Sequence, residues 1–272
     1  MNQSDVIKQC ASVLKDAAAF SPDTGIILGT GLGGLADKIQ DAKSISYDEL
    51  PGFPHSTVQS HAGRLTWGTL GTAKVIAMEG RFHYYEGYSL DEITLPIRVM
   101  KELGIKKLIV SNAAGGMNPM YENGDIVLIE DHINLMGINP LIGPNDDKLG
   151  PRFPDMIEPY SYKLIRKAEA VALKSGIKTH RGVYVGVSGP NLETRAEYRF
   201  LRTIGADLVG MSTIPEVITA VHAGLEVLGV SCVTDMCLPD ALKPANIDEI
   251  IATAEKTEPQ MCHIVSQILG EE

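Results

Sequence analysis

Short apolar runs in this chain break, time after time, into clusters of small residues, and that repetition constrains the fold more than any other feature. Ile26-Ile27-Leu28 runs into Gly29-Thr30-Gly31-Leu32-Gly33-Gly34, and Leu108-Ile109-Val110 into Asn112-Ala113-Ala114-Gly115-Gly116. Ala206–Val209 ends in Gly210-Met211-Ser212, and Val227–Val233 in Thr234-Asp235. Short apolar runs bounded by glycine and small polar residues read as buried strands. Further strands are predicted at 65–70, 73–78, 125–129 and 182–187. Helical spacing of apolar residues covers 5–19 behind Ser4 as N-cap, 91–103, 160–174, 194–204, 215–223 with Pro215 in the first turn, and 247–269. Strands and helices that alternate with no linker, repeat or low-complexity tract predict α/β structure: a single domain over residues 1–272, with a central mixed β-sheet flanked by helices. Ligands of open α/β sheets sit at the carboxyl ends of strands. The four small-residue strand ends therefore nominate one shared site.

Charge and composition narrow what that site binds. The chain carries 34 acidic against 24 basic residues, a formal net charge of −10. Such a surface repels a polyphosphate backbone and argues against nucleic acid as a partner, although a local pocket can still hold a small anion. Apolar residues at 44% and charged residues at 21% are ordinary for a globular protein and exclude general disorder. No apolar run approaches a membrane span, and the start, MNQSDVIKQC, lacks a signal-peptide pattern. Cys10, Cys232, Cys237 and Cys262 form no CxxC pair. They read as reduced thiols of a cytoplasmic protein, and no metal site is expected.

Each motif admits a plain and a chemical reading. Gly29-x-Gly31-x-x-Gly34 follows a strand, as the dinucleotide fingerprint requires, with Asp48 and Glu49 about 20 residues on. However, only Leu35–Gln40 separates the glycines from a polar turn, too little for the crossover helix of a nicotinamide-binding oxidoreductase. What remains is a tight turn, or an anion cradle of backbone N–H groups and the Thr30 hydroxyl. Arg81-Phe82-His83-Tyr84-Tyr85-Glu86 is either a solvated basic turn over a core aromatic or a phosphate grip. In an extended segment Arg81 and His83 face the same way. Asn112–Gly116 offers packing or close approach of a ligand to the backbone. His61, in a loop, is a weak signal. Glu193 lies near a helix start, where a carboxylate is often only a cap. Asp235, at the end of an apolar strand, is either held structurally or reads a ligand. The 131–156 segment, with four prolines and three glycines, is a long loop of the kind that is usually functional.

Taken in order, GTGLGG, GRFHYYEGY, SNAAGG, DHINLMGINPLIGPND, GPNLETRAEYRFLRTIGADLVGMSTIPEV and Thr234-Asp235 resemble the trimeric purine nucleoside phosphorylases, from about residue 20 to the C-terminus. The resemblance implies a cytoplasmic homotrimer of the purine salvage type. It would catalyse reversible phosphorolysis of purine ribo- or deoxyribonucleosides to the free base and α-(deoxy)ribose 1-phosphate. Inorganic phosphate would be a co-substrate, with no metal or organic cofactor. Carried over by motif, Thr30, His61, Arg81, His83, Ala113 and Ser212 would bind phosphate. Tyr85 and Met211 would line the sugar, joined by Phe153 from a neighbouring subunit. Leu192, Glu193, Thr234 and Asp235 would meet the purine, with His83, Glu193 and Asp235 as the groups taking part in catalysis.

Two positions depart from the family's 6-oxopurine pattern. Asp235 stands where asparagine is usual, and an ionised carboxylate accepts hydrogen bonds but cannot donate to O6 and N7. Ile247 stands where a histidine usually meets the sugar 5′-hydroxyl. Both changes lean toward a 6-aminopurine or methylthioadenosine phosphorylase, whereas Glu193 and the GMST and GRFHYYEGY motifs lean toward 6-oxopurines. Remoter readings are the NAD-dependent oxidoreductase and a non-catalytic nucleoside binder. Retention of a nucleophile site counts against the binder.

Overall fold

The computed structural model describes residues 3–17, 21–30, 32–55 and 62–270. Its central strands are apolar on both faces and are covered on both. Strand β1 (Thr24–Leu28) is buried along its whole length. It pairs in parallel with β4 (Ala73–Glu79) on one side and β5 (Lys107–Gly116) on the other. Beyond β4 the sheet continues antiparallel through β3 (Arg64–Leu70) to β2 (Gln40–Ser46) at the edge. On the far side β5 runs parallel to β9 (Glu226–Met236), and its last two residues pair antiparallel with β8 (Leu208–Gly210). Strand β6 (Ile126–Asn134) joins β9 to β7 (Thr179–Gly186), and β7 joins β8. The five strands β5, β8, β7, β6 and β9 therefore close into a ring, and the other four form a wing attached at β5. Closure removes the unpaired edges of that half of the sheet.

Four helices start where local chemistry says they should. α2 (Leu90–Glu102) begins with a reciprocal capping box between Ser89 and Glu92, and α4 (Arg195–Thr203) with one between Thr194 and Glu197. α3 (Tyr162–Lys174) is capped by Ser161, and α5 (Ile214–His222) has Pro215 in its first turn. α1 (Gln3–Ala17) begins before Ser4, so Ser4 lies within the helix and is not the N-cap that the sequence suggested, and α6 (Ile247–Gly270) completes the set. The sheet is mixed and flanked by helices, as the alternation predicted.

Differences from the sequence reading are local. β2 was not predicted: QDAKSIS has no apolar face, because it is an exposed edge strand. β5 runs six residues past Val110 to Gly116, and β6 extends to Asn134, into the segment read as loop from 131. In both cases backbone pairing continues where the apolar pattern has stopped. After the first glycine cluster the chain makes only a 3-10 helix, Gly33–Lys38, and enters β2 at Gln40. The dinucleotide reading thus lacks its crossover helix, as the short spacing implied.

One irregularity shapes the site. Pairing of β5 with β9 passes from Ala114–Val233 to Gly115–Asp235, so Thr234 is an extra residue in β9. A bulge breaks the alternation of a strand and re-aims its side chains. Consecutive residues Thr234 and Asp235 consequently line the same cavity.

Candidate active site

The ends of β1, β4, β5, β8 and β9 surround one cavity of about 220 Å³. At its inner end the backbone must come close. A Cβ on Gly29 would lie 2.3 Å from the Ser111 carbonyl oxygen and 2.9 Å from Arg81 Nη2, so only glycine fits there. The Gly29 N–H donates to Ser111 Oγ at 3.1 Å. Arg81 follows β4 directly and is 3% exposed. Its neighbour Phe82 turns into the core against Tyr47, with ring centroids 5.2 Å apart. The Tyr47 hydroxyl donates to the Gly80 carbonyl at 2.8 Å. This aromatic anchor leaves Arg81 and His83 both facing the cavity, the arrangement expected of an extended segment; His83 has φ −118° and ψ 150°.

The Arg81 guanidinium is oriented from several sides. Nη1 donates to Ser212 Oγ at 3.1 Å and Thr213 Oγ1 at 3.0 Å, with Glu216 Oε1 3.4 Å away, and Nη2 donates to the Ser111 carbonyl. Thr213 has φ +73° and ψ −50°, and the Ile214 N–H donates to the Ser212 carbonyl at 2.8 Å. That is a left-handed γ-turn, a rare and strained conformation for a branched residue. It is held by Asn112, whose amide donates to Thr213 Oγ1 at 2.8 Å and whose oxygen accepts from Ser231 Oγ at 2.7 Å. Asn112 thus serves mainly to buttress the turn. His83 Nδ1 meets Glu86 Oε1 at 2.9 Å, and its ring stacks on Tyr85 at 4.7 Å and 17°. These two contacts fix the orientation of the imidazole.

The other end of the cavity holds two carboxyls. Asp235 accepts at both oxygens, from Thr234 Oγ1 at 3.0 Å and from Cys237 Sγ at 3.2 Å. Burial pushes the Glu193 carboxyl above its ordinary range. The Tyr198 hydroxyl pulls it partly back, and the charges of Glu197 and Asp235 add to the rise. Tyr198 also bonds with Cys237, so Glu193, Tyr198, Cys237 and Asp235 form one network. Burial raises the Tyr198 hydroxyl and the Cys237 thiol well above their usual values, so both stay protonated donors. The same carboxyls also line an outer chamber of about 580 Å³ that reaches Lys243 and Asn246.

Thr30, Arg81, His83, Tyr85, Ala113, Leu192, Glu193, Met211, Ser212, Thr234 and Asp235, nominated from separate stretches of sequence, all line the first cavity. His61 and Gly31 lie outside the described residues. Phe153 lies elsewhere, 87% exposed, beside a separate groove with Ile142 and Met156. Ile247 opens α6 with 60% exposure and is not among the residues that line the cavity, whereas Ile250, one turn on, is. Glu86, Tyr198, Thr213, Glu216 and Cys237 were not nominated. All of these but Cys237 lie inside motifs that were quoted, but their partners are fixed only by the folded chain. Among the described residues no group of three or more His, Cys, Asp or Glu is placed to hold a metal, and the four cysteines are buried and unpaired. No described helix is long and apolar enough to cross a membrane.

Comparison with known proteins agrees with this geometry. The model of the phosphorylase superfamily matches residues 23–270. Purine nucleoside phosphorylase 1 of Geobacillus stearothermophilus is 53% identical over 269 residues, covering 99% of this chain and 98% of the relative. A schistosome purine nucleoside phosphorylase solved with hypoxanthine superimposes with a TM-score of 0.94 at 44% identity, over 98% of this chain and 97% of that one. A structure of the Schistosoma mansoni enzyme in complex with adenosine gives 0.93 at 44% identity over the same shares. A strand-end cavity with a buried arginine at one end and paired carboxyls at the other, in a chain this close to its relatives over nearly its whole length, places the protein in a family: it belongs to the purine nucleoside phosphorylases of the phosphorylase superfamily.

Proposed function

We propose that the chain catalyses reversible phosphorolysis of purine ribonucleosides and deoxyribonucleosides, as a pentosyltransferase of purine salvage. One observation carries the reading: a single cavity joins a pre-oriented arginine to a carboxyl pair, with room between them for a sugar. A phosphate oxygen attacks C1′, the C1′–N9 bond breaks, and its electron pair leaves with the purine. Arg81, Ser212, Thr30 and the backbone at Ala113 hold phosphate beneath the sugar, His83 donates at the same end, and His61 is assigned to the same grip on the motif alone. Positive charge that grows on the sugar is stabilised by the phosphate anion, which is also the positioned nucleophile. Tyr85 and Met211 face the sugar, and Leu192 packs on the base. Phosphate is the co-substrate, and the reaction as written needs no metal or organic cofactor.

One proton on the carboxyl pair serves either class of base. With the proton on Asp235, its single O–H donates to N7 while ionised Glu193 accepts from N1–H, which suits inosine and guanosine. With the proton on Glu193, that residue donates to N1 and ionised Asp235 accepts from the exocyclic amine, which suits adenosine. Asp235 accepts two hydrogen bonds within the protein, and Glu193 is the carboxyl that burial raises. Both facts support the second arrangement, and with it activity toward 6-amino nucleosides beside 6-oxo ones. Ile247 is not among the residues that line the cavity, and methylthioadenosine in the panel below tests whether its apolar side chain favours a 5′-methylthio sugar.

The exposed Phe153, with Ile142 and Ile157 at 80% and 86% exposure, supports assembly into a homotrimer in which Phe153 reaches a neighbour's sugar site. Buried, unpaired thiols support a reducing, cytoplasmic setting. The test is a panel of inosine, guanosine, adenosine and methylthioadenosine with and without phosphate. Purine release that requires phosphate is expected, with inosine and adenosine both accepted. Release by water alone, or no release from any of the four, would overturn the reading.

A further inference from the structure

Behind the inner end of the cavity, against Arg81, lies a further carboxylate. Glu216, in the first turn of α5, is 2% exposed, and its Oε1 lies 3.4 Å from Arg81 Nη1. Both side chains of the pair are 3% exposed, so solvent screens neither charge. Glu216 Oε2 has no hydrogen-bond partner among the described residues. The titratable groups around it are Tyr160 and Tyr184, both buried, their hydroxyls raised chiefly by that burial, with Glu216 adding to the rise. Leaving a buried charged oxygen unsatisfied is costly, and such a group in a native structure asks for a reason.

Orientation is not a sufficient reason. Nη1 has two hydrogens and three acceptors within reach, and the carboxylate is the most distant of them, at 3.4 Å against 3.0 and 3.1 Å for the two hydroxyls. The hydroxyls set the direction of the guanidinium, and the carboxylate supplies charge. A guanidinium buried without a counter-charge would be strongly destabilising until an anion arrived. It would then hold that anion tightly, whether it was the phosphate that enters or the sugar phosphate that must leave.

We propose that Glu216 is a positioning residue that acts as the resident counter-anion of Arg81: it balances the buried guanidinium when phosphate is absent and weakens the hold on phosphate and on the sugar-phosphate product when they are bound. The identity of the ligand rests on the phosphorolysis reading above; the pairing does not. In Glu216→Gln the length and one acceptor oxygen are kept and the charge is lost. In Glu216→Asp the charge is kept but withdrawn by one methylene. Tightness for phosphate should therefore rise in the order wild type, Asp, Gln.

The experiment is direct titration of each purified protein with inorganic phosphate by calorimetry, beside steady-state kinetics and melting with and without phosphate. For Glu216→Gln, Kd and KM for phosphate should fall about 5-fold or more, the effect of removing one like charge a few ångströms behind the site. The nucleoside KM should move less, and kcat should fall as product release slows. The variant should melt below wild type without phosphate and regain more of the difference with it. A merely structural role would instead raise both KM values together. Phosphate binding that is unchanged or weaker in Glu216→Gln overturns the proposal. Should that variant fail to fold even in phosphate, Glu216→Asp decides in the same way: tighter phosphate supports the proposal, unchanged or weaker phosphate overturns it. A wild-type protein that binds no phosphate would instead overturn the phosphorolysis reading.

Discussion

The two ends of the cavity are built on opposite plans. At the inner end Arg81 is 3% exposed, and its guanidinium meets groups from β5, the 212–213 turn and α5. A strained turn is stored there, and Asn112 and Ser231 hold it. At the outer end Leu192 is 47% exposed, Glu193 is half-buried, and the carboxyls communicate through two protonated side chains, Tyr198 and Cys237. The inner end resists change, since moving any one group leaves another buried and unpaired. The outer end has a carboxyl pair and an open neighbouring chamber. On the proposed reading, the anion and its attack geometry would be set in advance, whereas the choice of base would depend on where one proton sits.

Breaking the inner end should have the largest effect. Arg81→Ala removes the charge and strands Glu216, and kcat/KM for inosine phosphorolysis should fall by about 100-fold or more. Arg81→Lys restores the charge but cannot span Ser111 and Thr213 together, so it should recover only part of the loss. Near-normal rates in Arg81→Ala would show that the inner end does not hold phosphate as described.

Altering the outer end should change selectivity more than rate. Asp235→Asn supplies an amide that donates to O6 and N7 and cannot carry the proton that either arrangement shares. The inosine-to-adenosine ratio of kcat/KM should rise by about 5- to 150-fold, matching ~1–3 kcal/mol for one mismatched buried group. An unchanged ratio would remove Asp235 from base recognition.

The smallest effect is the sharpest test of the shared proton. Glu193 has its pKa raised, so its acid form, which suits adenosine, persists to higher pH than an ordinary carboxyl and is lost as pH rises through that raised value. The adenosine-to-inosine ratio of kcat/KM should accordingly increase as pH falls through the same range. The Tyr198 hydroxyl lowers the Glu193 pKa, so Tyr198→Phe should move the midpoint to higher pH by up to about one unit, in line with ~0.5–1.5 kcal/mol for one hydrogen bond. A ratio that is flat with pH in both proteins would place the proton elsewhere.

Much of the site was legible because its residues lie at strand ends that declare themselves locally. An apolar run that stops at Gly29, Asn112, Gly210 or Thr234 states both that a strand is buried and where its carboxyl end lies. Arg81 and His83 were found together because two residues of extended chain face one way. Chemistry of this kind is written in residues near one another in sequence, and the alternation of elements is enough to gather such ends on one side of a sheet. Other features needed the folded chain. The edge strand β2 has no apolar signature, and the closing of five strands into a ring depends on pairing between segments far apart in sequence. The bulge at Thr234, the γ-turn at Thr213 and the place of Ile247 outside the cavity lining are matters of register, backbone angle and helix face. Above all, composition names Glu193, Tyr198, Glu216 and Cys237 but not their partners. A carboxylate's charge state and its effect on a neighbouring arginine depend on burial and distance, and these arise only when β5, β9, α4 and α5 pack around one cavity.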